Sequence, residues 1–161
     1  MAHPEDARRR SRRITAIAGR RQPRYPEGVS ELPLDPLRLA AARYPGARLV
    51  VLFGSVARGT AAAWSDLDIG VSGLDTWSAL ELGAELGELL GREPHVVDLD
   101  EASDWLRYRV AEDGVLLLEA EEGTWARYVA RAMLGYFDLA PIIELCAEGA
   151  RQALARGASH G

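Results

Sequence analysis

The sequence of 161 residues predicts an α/β fold, with a small mixed β-sheet, flanking helices and further helices at the C-terminal end. Three observations carry this reading. Short apolar runs of strand length alternate with segments of helical periodicity. The helical segments open on capping residues or close on glycine or proline. The length is one domain's worth, and 48% hydrophobic residues suffice for a single core.

The elements follow in order. Asp35-Pro36 offers an N-cap and a proline at the first helical position, so a helix should run to about Tyr44, where Pro45-Gly46 stops it. "ARLVVLF" (47–53) has the length and Val/Leu content of a buried strand, and "SDLDIGV" (65–71) alternates as a second. Asp75-Thr76 caps a helix to about Leu90, with Trp77, Leu80 and Ala84 on one face and Leu82, Leu86 and Leu89 beside it. "PHVVDL" (94–99) is a third strand. Ser103 or Asp100 opens a short helix that ends at Gly114, and "VLLLE" (115–119) is a fourth strand.

Thr124 is the cap of a further helix, on which Trp125, Tyr128, Val129, Ala132, Met133 and Tyr136 recur at helical spacing and read most simply as core. Pro141 should end or kink it near Ala140. A second amphipathic segment then carries Ile142, Leu145, Cys146 and Gly149, with Cys146 as a packing residue rather than a reactive thiol.

The net charge of −5 conceals two unlike parts, and all 19 basic residues are arginine. Residues 1–27 hold eight arginines against three acids, a net of +5; the remaining 134 residues hold eleven against twenty-one, a net of −10. The division reads as a basic arm (1–27), a core (28–122) and a helical segment (123–158) that packs on the core or on a partner. The arm has too little apolar surface to order itself, and it is either a solvated tail or the one place where nucleic acid would bind. His3 and His160 fall in the two ends. No apolar run approaches the ~20 residues of a membrane span, which predicts a soluble, cytoplasmic protein with no membrane contact. One cysteine excludes an internal disulfide framework.

The chemistry concentrates in "LFGSVARGTAAAWSDLDIGV" (52–71). Residues two apart on a strand share a face, so Asp66 and Asp68 set two carboxylates side by side. That arrangement is costly unless a cation lies between them, and magnesium takes one or two carboxylates together with substrate phosphates. Gly54-Ser55 follows the first strand directly. Glycine lets the backbone approach a phosphate, and the next residues can open a helix whose N–H groups attract anions. A phosphate cradle opposite a metal-binding carboxylate pair suits transfer of a phosphoryl-type group from a nucleotide. Ser55 lacks the Gly-x-Ser-x-Gly elbow of a hydrolase nucleophile.

This Gly-Ser, ten-residue gap and Asp-x-Asp resembles the signature of the nucleotidyltransferase superfamily that includes DNA polymerase beta, and the minimal nucleotidyltransferases above all. "VVDLDEAS", "AEDGVLLLEA" and "WARYVARAMLGYFDLAPIIE" extend the resemblance over about residues 35 to 147. In the bacterial branch such a protein is the antitoxin partner of a HEPN-domain toxin. The resemblance therefore implies a hetero-oligomer with that toxin. It implies that Asp66 and Asp68 hold two Mg²⁺ on the triphosphate of ATP, that Gly54 and Ser55 bind the β- and γ-phosphates, and that Arg58 contacts phosphate or partner. The activity it implies is transfer of AMP from ATP to a hydroxyl, a tyrosine of the cognate ribonuclease toxin. Two other classes stand beside it: an antitoxin that neutralises by binding alone, and a nucleotidyltransferase acting on a small antibiotic, which lacks a further domain to build a drug pocket.

The sequence departs from the family at the third carboxylate. Active members carry it on the strand after the pair, first in the pattern Asp-Val-Val-Asp-Leu, and here that segment is "HVVDL". His95 stands at the first position and Asp98 at the second. Three residues apart on a regular strand they point to opposite faces, so Asp98 replaces the missing ligand only through a bulge or shifted register. The reading predicts that His95 faces Asp66 and Asp68. Transfer is then weak or absent unless another acid fills in, and the antitoxin role rests partly on binding.

Overall fold

The strand β1, Leu49–Phe53, lies at the heart of the sheet, and all five of its side chains are buried. The computed structural model describes residues 32–158. β1 is flanked on one side by β2 (Leu67–Ser72) and on the other by β4 (Val115–Glu119), both antiparallel to it. β3 (Pro94–Asp98) adds to β2 in parallel, giving the order β3-β2-β1-β4. A parallel neighbour requires a crossover. The helix Thr76–Leu90 makes that crossover between β2 and β3.

Helices cover both faces. On one, α1 (Leu34–Ala41) and α3 (Thr76–Leu90) bury Leu37, Leu82 and Leu86 against Val50, Leu52, Ile69, Val71 and Leu117. On the other, α4 (Asp104–Asp113) and the start of α5 (Thr124–Ala158) set Val110, Trp125 and Tyr128 against Leu49, Val51 and Phe53. Tyr108 of α4 stacks on Tyr136 of α5, with ring centroids 3.8 Å apart. Between β1 and β2 a single turn, α2 (Gly54–Ala57), reverses the chain.

Two of the expected caps are observed, at Asp75 and Ser103, whereas Thr124 is already the first residue of α5. Asp75 accepts from the N–H groups of Trp77 and Ser78, and its hydrogen bonds, led by the Ser78 hydroxyl, hold its carboxyl below the usual range. Ser103 accepts from Leu106 at the start of α4. α1 is different: it begins at Leu34, so Asp35 lies in its first turn rather than at its cap.

Two helical expectations fail. Trp77, Leu80 and Ala84 face solvent, and α3 buries Leu82, Gly83, Leu86 and Gly87 instead. A Cβ on Gly83 would stand 2.3 Å from Val96 Cγ2, so the small residues bring α3 close onto β3. α5 also passes through Pro141 without a break. Proline deletes one backbone donor and crowds the preceding turn, and the helix carries that local cost within a long run of good helix formers.

The arm of residues 1–27, His3, His160 and the side chains of Ile142 and Cys146 lie outside the described residues. No helix among the described residues is long and apolar enough to cross a membrane.

Candidate functional site

β1 delivers the chain to the site and Gly54 turns it. Its φ of +74° is a left-handed conformation that side chains with a Cβ disfavour. The position is closed to a Cβ for a second reason: one built there would stand 2.1 Å from Asp68 Oδ2 and 3.0 Å from its Cγ. The Asp68 carboxylate therefore lies directly over the bare α-carbon of Gly54. Ser55 follows in α2, and its carbonyl accepts from the N–H of Thr60, which folds the next loop back on the turn.

The other side of Asp68 meets His95. Asp68 pairs with Phe53 in the β1–β2 ladder and with His95 in the β2–β3 ladder, so strand register alone places the three in one row. His95 Nδ1 lies 3.1 Å from Asp68 Oδ1. One carboxylate oxygen thus meets an imidazole and the other meets glycine, with the side chain about a quarter exposed. Asp66 comes two residues earlier, just before β2, and is exposed. Leu67 between them is buried in the layer under α1 and α3, and alternation along β2 sends Asp68 to the opposite side.

The loop that leads into the pair is braced. Arg92 donates to the carbonyls of Ala62 (2.9 Å) and Ser65 (2.8 Å), and Ser65 Oγ accepts from the Ala62 N–H at 2.9 Å. Nothing in the local sequence announces Arg92, since its role arises from an approach across thirty residues.

Two sequence-predicted site residues are placed elsewhere. Asp98 is opposite Val71 in an unbroken β2–β3 register, and Val71 belongs to the core under α1 and α3. No bulge intervenes, so Asp98 points away from the face that carries Asp68 and His95. Its Oδ1 accepts from the Asp100 N–H at 2.8 Å, and it borders a small cavity with Leu74 and Leu80. Asp98 is therefore not brought to the site as a third carboxylate. Asp98→Asn keeps that acceptor oxygen, and it should leave both the melting temperature and any nucleotide transfer at wild-type values. Arg58 is placed against Asp113, a largely buried carboxylate at the end of α4 that Arg109 also reaches at 3.4 Å. Through Nη1 its guanidinium ties α2 to α4, while the side chain stays more than a third exposed.

The structure thus assembles Gly54, Asp68 and His95, with Asp66 and Ser55 adjoining. Among the described residues no group of three or more His, Cys, Asp or Glu side chains forms a metal cage. A magnesium shared with a nucleotide does not need one, because one or two carboxylates complete its shell with phosphate and water oxygens. Two neighbouring carboxylates beside a glycine turn fit that requirement.

The family model "Polymerase beta, Nucleotidyltransferase" matches residues 37–123, which include Gly54, Ser55, Asp66, Asp68 and His95. No curated protein sequence matches the chain significantly. Solved structures do. A toxin–antitoxin crystal structure with AMP-PNP aligns at 25% identity over 74% of this chain and 99% of that chain, with a TM-score of 0.63. A mutant of the MntA-HpeT toxin–antitoxin pair aligns at 23% identity over the same shares, with a TM-score of 0.65. The complex of tri-AMPylated Shewanella oneidensis HEPN toxin with MNT antitoxin aligns at 21% identity over 73% of this chain and 98% of that one, with a TM-score of 0.56.

Proposed function

Because this chain belongs to the polymerase beta nucleotidyltransferase family, we propose that it is a minimal nucleotidyltransferase antitoxin that transfers AMP from ATP to a hydroxyl of a HEPN-domain toxin. The observation that carries the reading is the Asp68 carboxylate held between the Gly54 turn and His95, with Asp66 two residues away. The similar complexes support this reading: one contains AMP-PNP, an ATP analogue altered only at its β–γ bridge, and another an AMPylated HEPN toxin with its MNT antitoxin.

In this reading the backbone N–H groups of the Gly54-Ser55 turn receive the phosphates. Asp66 and Asp68 would hold Mg²⁺, and the ion when bound would offset the charge of the triphosphate. The acceptor hydroxyl forms a bond to that phosphorus, the bond from it to the bridging oxygen breaks, and pyrophosphate leaves. The hydroxyl proton passes to His95. The tautomer that donates Nδ1–H to Asp68 leaves Nε2 as its acceptor.

His95 also sets the pace. Imidazole is a poor magnesium ligand, so the third position adds a base without adding a metal oxygen. Transfer is accordingly slow, and binding contributes to neutralisation. His95→Asp should raise transfer by roughly tenfold or more and lower the Mg²⁺ concentration at half-maximal rate, within the range that one positioned acid or base contributes. The apo variant should melt slightly lower, since a third negative charge joins two. An unchanged Mg²⁺ dependence for His95→Asp would remove His95 from the site.

The experiment that tests the function is incubation of the chain with ATP labelled on the α-phosphate, Mg²⁺ and a HEPN-domain toxin from the same organism. Label should appear on that protein and disappear with Asp68→Asn.

A further inference from the structure

Trp64 is the most exposed large apolar side chain among the described residues, at 86%. It follows three alanines and stands two residues before Asp66. An indole offers about 150–250 Å² of burial, and this one leaves nearly all of it in water. The loop beneath it is not slack. Arg92 grips the carbonyls of Ala62 and Ser65, and those two residues bond to each other through N–H to carbonyl (3.1 Å) and N–H to hydroxyl (2.9 Å). Trp64 is thus held at the tip of a closed turn.

We propose that Trp64 is the anchor on which the protein acceptor docks, so that its hydroxyl is presented to Asp66 and Asp68; this rests on the transfer reading above. Position is the first argument. Two residues of chain span at most about 7 Å, and a standard interface covers about 800 Å² on each partner, so the backbone of Trp64 falls within the footprint of a macromolecule docked over Asp66. The second argument chooses the occupant. A nucleobase stacked on Trp64 would be covered on one face only, because an indole this exposed meets no opposing wall among the described residues. A folded partner brings the second wall, and a rigid aromatic enclosed by a partner's pocket is the usual form of an interface hot spot. The third argument is pre-organisation: a turn already tied by Arg92 loses little freedom when the partner arrives.

Trp64→Ala and Trp64→Phe in the full chain test this against a HEPN-domain toxin from the same organism. Calorimetric titration should show binding weakened at least about tenfold by Trp64→Ala and largely restored by Trp64→Phe. In the labelling assay the KM for the HEPN protein should rise by a similar factor, with the KM for ATP unchanged. The melting temperature should stay at the wild-type value, because the side chain stands almost wholly in water. Unchanged affinity of Trp64→Ala, in a wild-type chain that binds and labels the HEPN protein, overturns the anchor and leaves the transfer reading intact. A rise confined to the KM for ATP overturns it in favour of a nucleobase platform. If the wild-type chain neither binds nor labels that protein, both readings fall together.

Discussion

Asp68→Asn should reduce nucleotide transfer by at least about 10³-fold, a loss of about 4 kcal/mol in the transition state, while the protein melts at or slightly above its wild-type temperature. The two halves of this expectation have one origin. Asp66 and Asp68 are like charges two residues apart, so neutralising one relieves repulsion in the metal-free fold. The amide keeps an oxygen to face His95 Nδ1, which lies 3.1 Å from Asp68 Oδ1 in the wild type. What the amide cannot do is supply the anionic oxygen that a magnesium on the triphosphate needs. Rate and melting temperature therefore separate. A variant that unfolds would instead mark Asp68 as a structural partner of the Gly54 turn.

Gly54→Ala should damage both the fold and the site. It places a Cβ 2.1 Å from Asp68 Oδ2, where neither atom has room to retreat without moving the carboxylate or the turn. It also forces alanine into a φ of +74°, at a cost of roughly 1–2 kcal/mol. Gly91 supplies the control. It has a φ of +60°, but a Cβ there would meet nothing within 4 Å, so Gly91→Ala carries the conformational cost alone. Gly91→Ala should lose about 1 kcal/mol of stability and no activity. Gly54→Ala should lose more stability, by about 1–3 kcal/mol for the overpacking, and transfer should fall with it. Chemical denaturation of the pair, with transfer rates alongside, separates the two effects.

The parts of this fold that are legible in the sequence are those set by near neighbours. β4 spans the run "VLLLE", β3 begins at Pro94, and Asp75 and Ser103 cap their helices because each of these depends on a few adjacent residues. The row of Gly54, Asp68 and His95 can also be anticipated, because strand alternation and a gap of fixed length carry that information. The failures need long-range facts. The buried face of α3 is legible only in part: Leu82 and Leu86 are expected on its apolar side, but Gly83 and Gly87 give no apolar signal, and they are the residues that let the helix close on Val96 and Pro94. Arg58 meets Asp113, fifty-five residues on, and Arg92 reaches back thirty to Ala62. Asp98 is excluded by an unbroken register that only the assembled sheet reveals.

The most direct test of the central claim is the amount of AMP carried by the HEPN-domain protein after incubation with this chain, ATP and Mg²⁺, read by intact mass. The account predicts a slow mass increase of one or more AMP units that requires Mg²⁺, is lost with Asp68→Asn and is faster with His95→Asp. A HEPN protein that is fully neutralised at unchanged mass, equally well by wild type and Asp68→Asn, would contradict it and leave an antitoxin that acts by binding alone.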